Sequence, residues 1–104
     1  VALGNPCGGT TKFTISGCSA GTTVGGATAG NFTLGANACN VVITLNGATG
    51  ITAPNGWGCK ANDETTAAGN TGLYFSAYST TTATLTVPAT AGTFDVIDFS
   101  CIGY

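Results

Sequence analysis

Apolar and polar residues alternate in short bursts along this chain, and each burst stops at a break rich in glycine, asparagine or proline. In Lys12-Phe13-Thr14-Ile15-Ser16 the alternation puts Phe13 and Ile15 on one face of an extended segment. Residues 22–24 make a brief strand closed by Gly25-Gly26, and Asn31-Phe32-Thr33-Leu34 alternates again. The strongest strand signal is Cys39-Asn40-Val41-Val42-Ile43-Thr44-Leu45. Its inward face is Cys39, Val41, Ile43 and Leu45, and Asn46-Gly47 closes it as a hairpin-type dipeptide. Pro54-Asn55-Gly56 reads as a turn. After it, Trp57-Gly58-Cys59-Lys60-Ala61-Asn62 places Trp57, Cys59 and Ala61 on one side. Residues 63–72 read as a polar, flexible loop. In Leu73-Tyr74-Phe75-Ser76-Ala77-Tyr78, Leu73, Phe75 and Ala77 share a face opposite Tyr74 and Tyr78. Residues 81–87 turn Ala83, Leu85 and Val87 inward and Thr82, Thr84 and Thr86 outward. In the last strand, residues 94–102, Ile97, Phe99 and Cys101 share a face. Phe94 and Val96 fall opposite them, which predicts a bulge near Asp95.

Seven or eight short period-two segments separated by turns predict an all-β fold, an antiparallel β-sandwich or jelly roll. Residues 12–104 form its single domain, and residues 1–11, with Asn5-Pro6-Cys7-Gly8-Gly9, form an irregular arm before it. At 104 residues the chain is too short for two independent cores. Outward threonines suit a pleated surface and keep it wet without charge.

Composition narrows the function. Charged residues are 6% of the chain, against about 25% in ordinary soluble domains. The formal charge is −2 and the two basic residues are both lysine, so the chain cannot neutralise a run of phosphates; this argues against nucleic-acid binding. No apolar stretch approaches the roughly 18 to 20 residues of a membrane span, which argues against a membrane partner. A hydrophobic content of 43% with so little charge is the opposite of a disordered composition.

Five cysteines allow two readings. As disulfides, the favoured pairs are Cys59 with Cys101 and Cys18 with Cys39; as thiols, these residues are small buried hydrophobes. Cys7, in the arm, is then free or available to another chain. A zinc site lacks support, because the chain has no histidine and no Cys-x-x-Cys pair.

Chemistry is sparsely represented. Without histidine there is no Ser–His or Cys–His arrangement. The four carboxylates, Asp63, Glu64, Asp95 and Asp98, read as solvated turn acids, with Asp95 and Asp98 available to cap a turn or hold a bulge. Asn62, Asp63 and Glu64 with backbone carbonyls offer the mixed oxygen ligands that calcium accepts, though in no recognised loop pattern. Nothing calls for a cofactor, and the expectation is a non-enzyme. Trp57, Tyr74, Tyr78 and Tyr104 are candidates for stacking on sugar rings, or for core and subunit-interface packing. Asn31-Phe32-Thr33 fits the N-glycosylation pattern, a match of little weight in a chain rich in Asn and Thr.

Three runs carry a resemblance: Phe13-Thr14-Ile15-Ser16-Gly17-Cys18, Ala29-Gly30-Asn31-Phe32-Thr33-Leu34-Gly35, and Cys39 through Leu45 as quoted above. It continues through Ala53-Pro54, Trp57-Gly58-Cys59-Lys60-Ala61-Asn62-Asp63-Glu64-Thr65-Thr66, the Thr-rich residues 80–87, and the closing Asp95-Val96-Ile97-Asp98-Phe99-Ser100-Cys101-Ile102-Gly103-Tyr104. Together these resemble a β-domain of bacteriophage virion proteins, found in head and tail fibres and small capsid-decorating proteins. The match runs from Lys12 onward, about nine-tenths of the chain. The resemblance implies a structural or adhesive role on the virion surface, with no catalytic residues. It also implies a homotrimer or higher oligomer, partnered by the major capsid protein or other virion proteins. Val1 is what remains where an initiator methionine is removed, which favours a stand-alone decoration protein over a fibre fragment. A secreted carbohydrate-binding module, or a tail-fibre domain that adheres to a host-surface glycan, is the alternative. A self-assembling surface or pilus subunit, using the arm and Cys7, is a third.

Overall fold

The computed structural model describes residues 13–45 and 52–104. The expectations for the arm, for Cys7 and Lys12, and for the Asn46-Gly47 turn lie outside the described residues. The elements run β1 (Thr14–Ser16), β2 (Gly21–Gly25), β3 (Ala29–Thr33), β4 (Cys39–Thr44), β5 (Trp57–Asp63), a 3-10 helix (Ala67–Asn70), β6 (Tyr74–Tyr78), β7 (Thr82–Val87) and β8 (Val96–Gly103). They form two four-stranded antiparallel sheets, ordered β1-β4-β7-β6 and β2-β3-β8-β5, in a β-sandwich.

Alternation explains how the layers close. In β4 and β7, Val41, Ile43, Ala83, Leu85 and Val87 are buried, while the intervening Asn40, Val42, Thr44, Thr82, Thr84 and Thr86 turn outward. The opposite sheet supplies Phe32, Trp57, Ile97, Phe99 and Cys101, and Phe13, Leu34 and Leu45 fill in from the strand ends. Phe99 is the hinge of the packing: Phe13 meets it edge-on at 4.7 Å and 87°, and Phe32 lies 6.2 Å away. Perpendicular contact sets the electropositive edge of one ring against the face of the other.

Three local expectations are corrected. β8 begins at Val96, and residues 92–95 form a turn closed by the Asp95 N–H donating to the Gly92 carbonyl at 3.2 Å. Phe94 sits in that turn at φ +70°, 75% exposed. Phe94 thereby faces solvent, opposite in phase to the buried Asp95 and Ile97, so no bulge is needed at Asp95. The register shifts instead in β2, between Gly21 and Val24, and in β6, where a bulge separates Phe75 from Ala77. It leaves Ala77 exposed rather than inward and brings Tyr78 onto Phe75, the rings stacked at 6.0 Å and 17°. Residues 63–72 are not a featureless loop either: Asp63 is the last residue of β5, and the 3-10 helix follows.

Candidate functional site

The two expected cysteine pairs are both bonded. Cys59 and Cys101 stand opposite one another in the β5–β8 register, with Cα atoms 4.1 Å apart and sulfurs at 2.03 Å. Cys18 and Cys39 bridge at 2.05 Å and tie the turn after β1 to the start of β4. That turn is conformationally demanding. Gly17, Cys18 and Ser19 all have positive φ, and a methyl group added at Gly17 would strike the Asn40 carbonyl oxygen. Disulfides form and persist in oxidising environments, so this chemistry points to an extracellular or secreted setting. Among the described residues, no helix is long and apolar enough to cross a membrane.

At one end of the sandwich the start of β5, the end of β8 and the β6–β7 turn enclose a cleft of about 380 Å³. Its walls are Asn55, Trp57, Tyr78, Ser79, Thr80 and Tyr104. Two further depressions adjoin it, and all three meet at Tyr104, which is 65% exposed. The backbone of Tyr104 is held by two hydrogen bonds: the Asn55 N–H donates to its carbonyl at 2.8 Å, and its own N–H donates to the Gly56 carbonyl at 3.0 Å. The Tyr78 hydroxyl oxygen accepts the Cys59 N–H at 3.3 Å, so this side chain crosses from the edge of one sheet to the edge of the other.

Sorting the four aromatic candidates by position separates them. Tyr78 and Tyr104 share the cleft. Tyr74 lies elsewhere, paired with Thr86 on the outer face of the other sheet. Trp57 contributes only an edge: it is 5% exposed, packs against Gly103 and Ala53, and donates its indole N–H to the Thr80 carbonyl at 2.9 Å. Of the two roles open to Trp57, its burial is that of a core residue and not of an exposed stacking platform. Sequence reasoning missed the neutral polar rim, Asn55, Ser79 and Thr80, because the chain brings it together from separate turns.

The carboxylates cluster at the opposite end of β5, about 20 Å away at the usual strand rise. Here the expectation of solvated turn acids fails for two of them, since Asp63 and Asp95 are each 3% exposed. Asp63 Oδ1 accepts the Thr65 and Thr66 N–H groups, both at 2.9 Å, an Asx-type turn that starts the 3-10 segment. Asp95 Oδ2 accepts the Gly92 N–H at 2.9 Å and closes its own turn. Burial, then a hydrogen bond with Asp95, raises the Asp63 carboxyl above its ordinary value, and the same hydrogen bond lowers that of Asp95. Glu64 and Asp98 form a second acid pair on the outer face, where desolvation and then Asp98 raise the Glu64 carboxyl. Asn62 donates its side-chain amide to Asp98 at 3.5 Å.

The calcium arrangement does not assemble. Asn62 and Glu64 are exposed while Asp63 turns inward, because successive residues of a strand face opposite ways. Among the described residues no group of three metal-ligating acids or cysteines converges. The cleft itself carries hydroxyls, an amide and aromatic rings. No family model, curated protein or solved structure matches this chain.

Proposed function

We propose that the domain is a non-enzymatic structural subunit of a bacteriophage particle surface, a capsid decoration protein or a short fibre. The observation that supports this reading best is the outer face of the β1-β4-β7-β6 sheet. Thr14, Thr44 and Thr82 lie in one register row, Ser16, Val42 and Thr84 in the next, and Asn40, Thr86 and Tyr74 in a third. No charge interrupts them. A neighbouring protein can cover such a face without stripping water from an ion, and the cores of protein interfaces are depleted in charge for that reason. The two disulfides suit a protein that works outside a reducing compartment. The sequence resemblance supplies the particle, a homotrimer or higher assembly, and the major capsid protein as neighbour.

Sedimentation of purified particles tests this. Wild-type protein is expected to travel with them, whereas Thr84→Glu, which sets a charge in the middle of the face, should stay behind while keeping a native circular-dichroism spectrum. Wild-type protein found only free or bound to cell wall would refute the proposal.

One observation favours a second reading, a secreted or tail-borne glycan-binding module. Exposed Tyr78 and Tyr104 flank a cleft rimmed by neutral hydrogen-bonding groups. Tyr104→Ala and Tyr78→Ala should then abolish retention on a polysaccharide column without unfolding the domain. Retention that survives both changes would rule it out.

A further inference from the structure

We propose that Asp63 and Asp95 share a single proton in the folded protein and act as an acid-set lock joining the end of β5 to the turn before β8. Asp63 Oδ2 is buried and has no donor among the hydrogen bonds around it, whereas its partner Oδ1 already accepts two N–H groups. The turn that carries Asp95 packs on this spot, since the place where a Gly69 methyl would meet Asp63 Oδ2 is also 3.2 Å from the Ala91 Cα, and an interaction between the two carboxyl side chains contributes to both shifts. Two ionised carboxylates so placed would repel in a dry site; one proton converts repulsion into an O–H···O⁻ bond. The proton resides on Asp63 Oδ2 and is donated to Asp95.

The surroundings leave little space for a cation instead. A methyl group added at Gly69 would collide with Asp63 Oδ2, and one at Gly92 would come within 2.8 Å of Asp95 Oδ1. The remaining charged groups among the described residues are Lys60, Glu64 and Asp98. Lys60 belongs to the opposite phase of β5, Glu64 stands exposed just past its end beside Asp98, and the 3-10 helix carries no charge. The direction of the two shifts agrees with the geometry: Asp63 holds its proton more tightly than an ordinary carboxyl, and Asp95 holds one less tightly.

The lock fastens three segments. Asp95 uses its backbone carbonyl to accept the Leu34 N–H at 2.8 Å, and Phe94 donates its N–H to the Leu34 carbonyl at 2.8 Å. The side chain of Asp95 then reaches β5, so the turn that displays Phe94 is tied on both sides.

Linkage gives the sign. Between the ordinary carboxyl value of 3.8 and the raised value of Asp63, the folded protein keeps a proton that the unfolded chain has released. Stability from Asp63 is complete below that window and is lost as pH rises through it. The lowered Asp95 acts oppositely, and its contribution is lost as pH falls below 3.8. The most stable state holds one proton on the pair.

Urea unfolding of the full chain from about pH 4 to about pH 8 tests the lock. The wild type should become less stable with rising pH, its unfolding constant increasing about tenfold for each unit by which Asp63 is raised. Asp63→Asn, which keeps the Oδ1 acceptor and supplies a permanent N–H donor, should remove the Asp63 share of the slope, leave that of the raised Glu64, and exceed the wild type at the alkaline end. Glu64→Gln, on the outer face, should retain the Asp63-dependent slope. With Glu64→Gln in place, an infrared carboxylic-acid band that the folded protein retains above the ordinary carboxyl range, and that Asp95→Asn weakens, is the independent readout should Asp63→Asn fail to fold. A wild-type slope in Asp63→Asn, absence of that band, or recovery of alkaline stability on adding calcium chloride would each overturn the shared proton.

Discussion

Trp57 shows how little of a residue's role its chemical type decides. Flanked by Gly56 and Gly58, it has the look of a displayed ring, yet the inward phase it shares with Cys59 and Ala61 drives it into the core. Gly103 lies across from it in the register, and a Cβ there would come within 2.9 Å of the indole. Trp57→Ala leaves a cavity and removes one of the two N–H groups that the Thr80 carbonyl accepts, the other coming from Ala53, and should cost about 3–5 kcal/mol. Trp57→Phe retains most of the packing and should cost much less, with the missing N–H bond contributing about 1 kcal/mol. Urea midpoints of the two variants separate these contributions, and an alanine variant of wild-type stability would contradict the buried role. Gly69 is constrained from the other direction. Gly69→Ala forces a methyl into Asp63 and should destabilise by about 1–3 kcal/mol, an overpacking penalty measurable in the same experiment.

At the scale of elements, the disulfides compensate for a topology with few local pairings. Among the described residues only β2–β3 and β6–β7 join consecutive strands; the other four pairings connect segments distant in the chain. Cross-links at sequence separations of 42 and 21 reduce the entropy of the unfolded chain, by about 4 and about 3 kcal/mol at room temperature in the chain-entropy treatment. Removing Cys59 and Cys101 together should therefore destabilise more than removing Cys18 and Cys39, as read from denaturant unfolding of the two double-alanine variants. Thiol titration of the denatured, unreduced protein should find at most one reactive group, that of Cys7. Both pairings were legible in the sequence because Cys39, Cys59 and Cys101 fell on inward phases. The same rule marked Asp63, two residues beyond Ala61, and Asp95, two before Ile97, as inward positions. Their polarity concealed this, since an acid is placed inside only when its partner is known, and that partner lies 32 residues away in the chain. The β6 bulge and the left-handed Phe94 were illegible for a different reason. The first shifts the phase of alternation and the second turns a large apolar ring to solvent, by backbone geometry that Ser76 and Phe94 do not announce as glycine would.

Taken across the whole molecule, charge is segregated by layer. Every charged side chain among the described residues (Lys60, Asp63, Glu64, Asp95 and Asp98) lies on or beside β5 and β8, and the β1-β4-β7-β6 sheet has none. The lateral edges differ as well. On one side β5 and β6 are spanned by Tyr78, whose hydroxyl occupies the Cys59 N–H that an added strand would use. Edges covered in this way resist unwanted strand pairing. A contact through the neutral sheet consequently draws on shape, methyl burial and hydroxyl hydrogen bonds, with little long-range attraction. Ionic strength distinguishes such a contact from one made by the opposite layer. Exposed charges are largely screened beyond about 8 Å at physiological salt and beyond about 3 Å at 1 M. Particle association through the threonine rows should thus persist in sedimentation as salt is raised over that range, and should strengthen slightly in sulfate, which favours apolar burial. Association that collapses with rising salt would instead place the contact on Lys60, Glu64 and Asp98, and the threonine face would lose its role in assembly.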